Sequence, residues 1–300
     1  MHEFLQQLIN GLSLGAIYAL IALGYSMVYG LLKFINFAHG DVLMIGAFAG
    51  FYAAPVIHHF LPDPWMTTAA VLLWAMLLCA ILGVVIERLA YRPLRDQPKL
   101  AVLITSIGVS LLLSYGGQIL FGVNQKAFPD LLPPIRIPLG QGVTMSGNHL
   151  LVIVVTLVLL VGLREIVLRT RFGLALRALS QNRDAASLMG VNSNAVISLT
   201  FAVGSALAGA AGVLYAMNIH SIEPLMGTLP GIKAFVAAVL GGIGSLPGAA
   251  VGGLLLGLTE CLLGGSFLSS YRDAIAFGIL IVILLIRPSG LFGSSASEKV

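Results

Sequence analysis

Asn36, His39 and Asp41 fall within six residues, in the stretch FINFAHGD, and each side chain can do chemistry. An imidazole near a carboxylate can relay a proton or ligate a metal. An Asn ahead of a helix can instead accept from free backbone N–H groups and cap it, while Gly40 between them allows close packing. No second His or Cys stands at ligand spacing, which leaves metal binding and proton relay the weaker uses. Glu260, in GLLLGLTECLLGG, is an isolated acid inside an apolar run. A third stretch, RDAASLMG at 183–190, has helix formers between polar residues and a closing glycine, in the most basic loop of the chain.

The setting of these residues follows from composition. Of 300 residues, 58% are hydrophobic and 9% charged, and the mean hydropathy is +0.99. A soluble domain cannot bury that much apolar side chain, so the fold class is an all-α integral membrane protein. The 35 glycines then suggest helices packed backbone to backbone. The pairs Gly11/Gly15, Gly46/Gly50, Ala208/Gly212, Gly248/Gly252 and Gly253/Gly257 have the required spacing. The net charge of +4 comes from short basic loops and is no nucleic-acid footprint. Cys79 and Cys261 lie in apolar runs and form no disulfide or metal framework. The N-terminus has no Lys or Arg and no small-residue cleavage site, which reads as a retained first span.

A span needs about 20 apolar residues. Candidates are 8–30, 36–57, 66–86, 100–121, 149–168, 194–218 and 271–287. The stretch 231–264 is broken at GGIGSLPG (241–248) and reads as two short spans or a re-entrant hairpin plus a span, for about eight transmembrane helices in one domain, 1–300. Loops 87–99 and 164–192 carry most of the arginines and belong in the cytoplasm, and the C-terminus with Arg287 and Lys299 joins them. Loop 122–148, poor in charge, belongs outside. Charge alone leaves the side of the N-terminus open. A possible internal repeat pairs 34–50 with 238–257, each a polar or glycine break before a small-residue helix.

A charge at mid-bilayer costs about 3 kcal/mol on insertion scales. Glu260 is therefore paired, protonated, near an interface or in water. Lys233 and Arg272 are its candidate partners, and a structural pair at the end of a span is favoured over a path residue. Asn36, His39 and Asp41 either cap a helix or line a path, and the two roles are compatible. In the loop 169–192, Asn182 or Asp184 can cap a short helix through Ala185, Ala186, Leu188 and Met189, which Gly190 ends. Its apolar face either lies on the membrane surface or needs a partner. Glu87 and Arg88 read as anchors at a cytoplasmic helix end.

DAASLMG resembles the E-A-A-x-x-x-G element of permease subunits of ATP-binding-cassette (ABC) importers, with Asp184 in place of Glu and without the I-x-L-P that often follows. GLSLGAIYALIALGYSMVYG (11–30), FINFAHGDVLMIGA (34–47), IERLAYRPLR (86–95), SLTFAVGSALAGAAGVL (198–214) and GIKAFVAAVLGGIGSLPGAAVGGLLLG (231–257) extend the likeness from end to end. Together they resemble the LivH-type permeases of bacterial branched-chain amino acid ABC importers. INFAHG is the most telling element, because related sugar permeases carry a DLSVG-like sequence there.

The resemblance implies a non-enzymatic subunit of the inner membrane that needs no cofactor. It implies a second homologous permease, two cytoplasmic ATPases and a periplasmic solute-binding protein as partners. It makes Arg183, Asp184, Ala185, Ala186 and Gly190 the ATPase-coupling residues, and Asn36, His39, Asp41 and Glu260 candidates for the translocation path. The implied cargo is leucine, isoleucine and valine, with another amino acid, a short amide or urea as the alternative. The chain has no G-x-x-x-x-G-K-[ST] loop of its own, so ATP must act on another subunit. A stand-alone carrier would need ion-coupling carboxylates, for which only Glu260 and Asp41 offer. An enzyme would need a catalytic cluster, and none is legible.

Overall fold

The computed structural model describes residues 2–95, 97–138, 143–265, 269–287 and 289–293. Lys299, expected on the inner side, lies outside them. The long apolar runs form α1 (His2–Leu32), α2 (His39–Phe60), α3 (Pro64–Ile86), α4 (Lys99–Phe121), α5 (Gly147–Arg169), α8 (Ser193–Ile219) and α10 (Leu246–Gly264). Those seven are long and apolar enough to cross a membrane, α3 with its extension to Leu94. Between α5 and α8 stand α6 (Arg171–Gln181) and α7 (Arg183–Leu188), and the chain continues through α9 (Thr228–Gly241) and α11 (Arg272–Ile286).

Local sequence sets the helix starts. Asp63 accepts from the backbone of Trp65 and Met66 to open α3, with Pro64 in the first position, where a missing N–H costs nothing. Ser146, Asn192 and Ser245 cap α5, α8 and α10 in the same way. The expected outer loop carries short strands. Lys126–Ala127 (β1) pairs antiparallel with Ser221–Ile222, and Arg136–Pro138 with Thr144–Ser146.

The broken stretch 231–264 resolves into α9 and the crossing helix α10. α9 has 14 residues, or about 21 Å of helix, too short to cross. The span expected at 271–287 is the 15-residue α11, also short of the ~30 Å hydrocarbon layer. The first helix begins at His2 rather than residue 8.

α1 and α8 occupy the centre, whereas α4 and α5 are the least covered of the long helices. α10 lies along α1, and α3 along α8. The expected small-residue ladders make such contacts possible: a Cβ added at Gly15 would stand 2.9 Å from the Leu254 backbone, and where α2 crosses α8 one added at Gly46 would stand 2.6 Å from Gly209 Cα. Cys79 and Cys261 are free thiols, Cys79 fully buried.

α1–α4 and α8–α11 follow the same plan. A long helix ends in a break, a second helix starts inside the molecule, and two further helices follow. The contacts match: α1 on α10 answers α3 on α8, α2 on α8 answers α9 on α1, and α2 on α4 answers α9 on α11. α2 runs toward the β1 side, where Tyr52 meets Lys126. α9 runs the other way, toward the turn where Gly244 meets the end of α1 at Gly30. This is an inverted repeat with α5–α7 as the link. The sequence pairing of 34–50 with 238–257 is therefore out of register, since the counterpart of α2 is α9. Glycine spacing made α10 look like the match.

Candidate functional site

The break at 33–38 brings α2 back against the middle of α1. His39 packs beside Gly24 rather than beside the end of α1. A glycine is needed there, because a Cβ on Gly24 would strike the imidazole. Gly40 then abuts Gly227 and Gly231 at the start of α9. The first turns of α2 and α9 thus meet inside the bundle.

Asn36, His39 and Asp41 are all buried at this junction, but each makes a different contact. Asn36 does not cap α2. The cap position is Ala38, with no side-chain bond, and Asn36 Oδ1 accepts from the Tyr91 hydroxyl at 2.6 Å. Tyr91 is delivered by one wide π-type turn, Glu87–Tyr91, at the end of α3. Asp41 accepts from Ser114 Oγ at its Oδ1 and from Ser110 Oγ at its Oδ2, both at 2.5 Å. His39 sets its ring edge-on to Tyr25 at 4.7 Å between centroids, and its Nε2 has no hydrogen-bond partner. Among the described residues no three His, Cys, Asp or Glu converge as a metal site.

Glu260 belongs to a second network. Its carboxylate accepts from Lys233 Nζ at 2.6 Å and from the Tyr18 hydroxyl at 2.9 Å. Lys233 also reaches Asp273 at 2.8 Å. Arg272, the other expected partner, lies 3.9 Å from Asp273 instead. The two networks are counterparts in the repeat. Asp41 fastens α2 to α4, and Lys233 fastens α9 to α11. No hydrogen bond or ion pair joins the two networks among the described residues.

α7 stands apart from both. Asn182, not Asp184, caps it, its Oδ1 accepting from Ala185 N at 3.0 Å. Gly190, at φ +82°, ends it. Ala186 turns inward, whereas Leu188 and Met189 are 88% and 85% exposed. Arg183, Asp184 and Ala185 are also on the surface. The scaffold behind this loop is firm. Glu87, fully buried, pairs with Arg95 and accepts from Ser198 Oγ on α8. Arg95 donates to Asn194 at 2.6 Å. The end of α3 is thereby tied to the start of α8, just after α7.

Ser110, Ser114, Tyr91 and Tyr18 escape the sequence reading. Only the serines left a signal, hydroxyls four apart at Ser106, Ser110 and Ser114 on one face of a mostly apolar helix. Replacing Ser110 and Ser114 by Ala is expected to destabilise the chain by about 3–6 kcal/mol, since bonds to a charged group contribute about 1.5–3 kcal/mol each. Adding Asp41→Asn should restore part of the loss. Unfolding of the detergent-solubilised chain measures both steps.

Comparison with known proteins adds a further set of findings. A sequence model of the family described as "Branched-chain amino acid transport system / permease component" matches residues 7–284. The chain is 45% identical to the high-affinity branched-chain amino acid transport system permease protein BraD of Pseudomonas aeruginosa, covering 100% of this chain and 99% of BraD. It is 40% identical to the corresponding LivH protein of Escherichia coli K12, over 99% of this chain and 98% of LivH. A more distant relative is the ribose import permease protein RbsC of Haemophilus influenzae, 28% identical over 95% of this chain and 85% of RbsC.

Proposed function

The chain belongs to the branched-chain amino acid transport permease family and is a multi-pass protein of the inner membrane, and from that premise we propose that it forms half of an ATP-driven path for leucine, isoleucine and valine. A second homologous permease completes the path, two cytoplasmic ATPases drive it, and a periplasmic binding protein delivers the cargo. The whole chain, 1–300, acts as one membrane domain, with loops 87–99 and 164–192 in the cytoplasm and 122–148 in the periplasm. Closure of the ATPases on ATP moves α7 and opens the path outward, and hydrolysis resets it.

The observation that carries this reading is α7. Leu188 and Met189 form an uncovered apolar knob in water, capped at both ends and braced by the Glu87–Arg95 pair. An exposed apolar face of that kind marks a protein or membrane contact, and a docked ATPase would cover it. Asn36, His39 and Asp41 sit where the first turns of α2 and α9 meet, the usual position of a cargo site in repeat-built transporters. They are assigned to the path. Glu260, held by Lys233 and Tyr18, is assigned to the framework beside it.

The test is co-purification. The wild-type chain drawn from detergent should bring two ATPases and a second permease, identified by mass spectrometry. Gly190→Asp should insert normally but recover at least ~10-fold less ATPase, a loss of about 1.4 kcal/mol or more in docking. Gln125→Ser, on the opposite face, should behave as wild type. A lone wild-type chain that moves leucine into vesicles without ATP would overturn the reading.

A further inference from the structure

A cavity of about 650 Å³ opens on the face that carries α6 and α7. Its polar wall comes from Lys33, Arg177, Ser26, Ser180, Ser245 and Ser289. Among the described residues no Asp or Glu lines it, and neither Lys33 nor Arg177 has an acidic partner. The cavity therefore carries two uncompensated positive charges. Ser26, 1% exposed, has a hydroxyl with no hydrogen-bond partner. Lys33 holds φ at +56°, a left-handed conformation that side chains rarely adopt. The wall also includes Ser245, which caps α10, so the positive end of that helix dipole adds to the field.

The remaining walls are apolar and lead into the membrane. A narrower slot of about 250 Å³ lies between α1, α5 and α10, bounded by Leu23, Leu160, Leu163 and Ala250. Val167 and Leu246 line both spaces. Arg164 borders the slot as a third cation. A basic chamber at the membrane surface thus adjoins an apolar groove at bilayer depth. A soluble anion would use only the chamber. An amphiphile uses both.

We propose that the two spaces form one site for an anionic phospholipid of the adjoining leaflet. Its phosphate sits at Lys33 and Arg177, hydrogen-bonded by Ser26, and an acyl chain lies in the slot against Leu160, Leu163 and Val167. Basic pockets between helices at a membrane surface bind anionic headgroups by this combination of charge and apolar contact. The lipid would wedge α1, α6 and the α9–α10 turn, which places it next to the arm that ends in α7.

Native mass spectrometry of the full chain in detergent tests this, with phosphatidylglycerol, phosphatidylcholine and inorganic phosphate as probes. The wild type should retain phosphatidylglycerol at least ~10-fold more tightly than phosphatidylcholine. Lys33→Gln with Arg177→Gln should abolish that preference. Both side chains are exposed, so the variant should unfold at the wild-type temperature in phosphatidylcholine. Leu160→Trp, which fills the slot, should weaken phosphatidylglycerol binding with the charges intact. No preference in the wild type, or a preference that survives the double substitution, would overturn the proposal. Displacement of the lipid by equimolar inorganic phosphate would make the chamber a free-anion site and overturn it as well.

Discussion

Lys233→Met is expected to cost the folded chain about 3–5 kcal/mol, the scale seen when one partner of a buried ion pair is removed. Lys233 is 5% exposed and Glu260 6%. Without the ammonium, Glu260 keeps only the Tyr18 hydroxyl. Asp273 also loses the ammonium beside its buried Oδ1, although its side chain as a whole is 43% exposed. The prediction has an internal check. Glu260→Gln in the Lys233→Met background removes the uncompensated charge yet can still accept from Tyr18, so the double variant should recover most of the stability. Unfolding of the three variants in detergent completes the cycle. A loss below about 1 kcal/mol for Lys233→Met, the scale of a solvated pair, would mean that water reaches Glu260.

Gly227→Ala is expected to reduce leucine uptake on the order of tenfold or more, with the protein still inserted. Gly227 ends the break before α9, and a Cβ there would collide with the Gly40 carbonyl and lie 3.3 Å from Met44 Cβ. The obstacle is backbone, so no rotamer change relieves it. Overpacking of this kind costs about 1–3 kcal/mol, and the displacement falls on the junction that holds Asn36, His39 and Asp41. The φ of Gly227 is −78°, which Ala adopts freely, so any effect comes from contact alone. Gly108→Ala is the control: it lies on α4 with nothing within 4 Å of a new Cβ, and uptake should be unchanged. Equal uptake by both variants would show that α2 and α9 separate without cost.

The crossing helices were legible because a bilayer demands a long apolar run, and hydropathy measures run length directly. α9 and α10 were not separable by that measure. A partial helix and a full one joined by glycines have the same composition as two short spans, and only the approach of Gly40 to Gly227 places the start of α9 inside the bundle. α7 was readable from Asn182 and Gly190 because capping is local. Asn36 was misread for the converse reason. Its neighbours favour a cap, but Tyr91, 55 residues away, takes its side chain. The Glu260–Lys233 pair could be anticipated, since lone charges in apolar segments have few partners available. Tyr18 could not, because a tyrosine in a span has many possible roles. The serines on α4 matter only once α4 is known to lie against Asp41.

The packing of α1 against α10 also constrains biosynthesis. α1 is made first, yet the surface it fits arrives more than 200 residues later. At ribosomal rates of about 5–20 residues per second, that delay is on the order of 10–40 s. Throughout it, the glycine grooves at Gly11 and Gly15 are open and the Tyr18 hydroxyl lacks its carboxylate. Glu260 is in turn synthesised after both Tyr18 and Lys233. The nascent chain thus places the receiving groups before the acid, an order that a circular permutant beginning at α8 would reverse for Tyr18 and keep for Lys233.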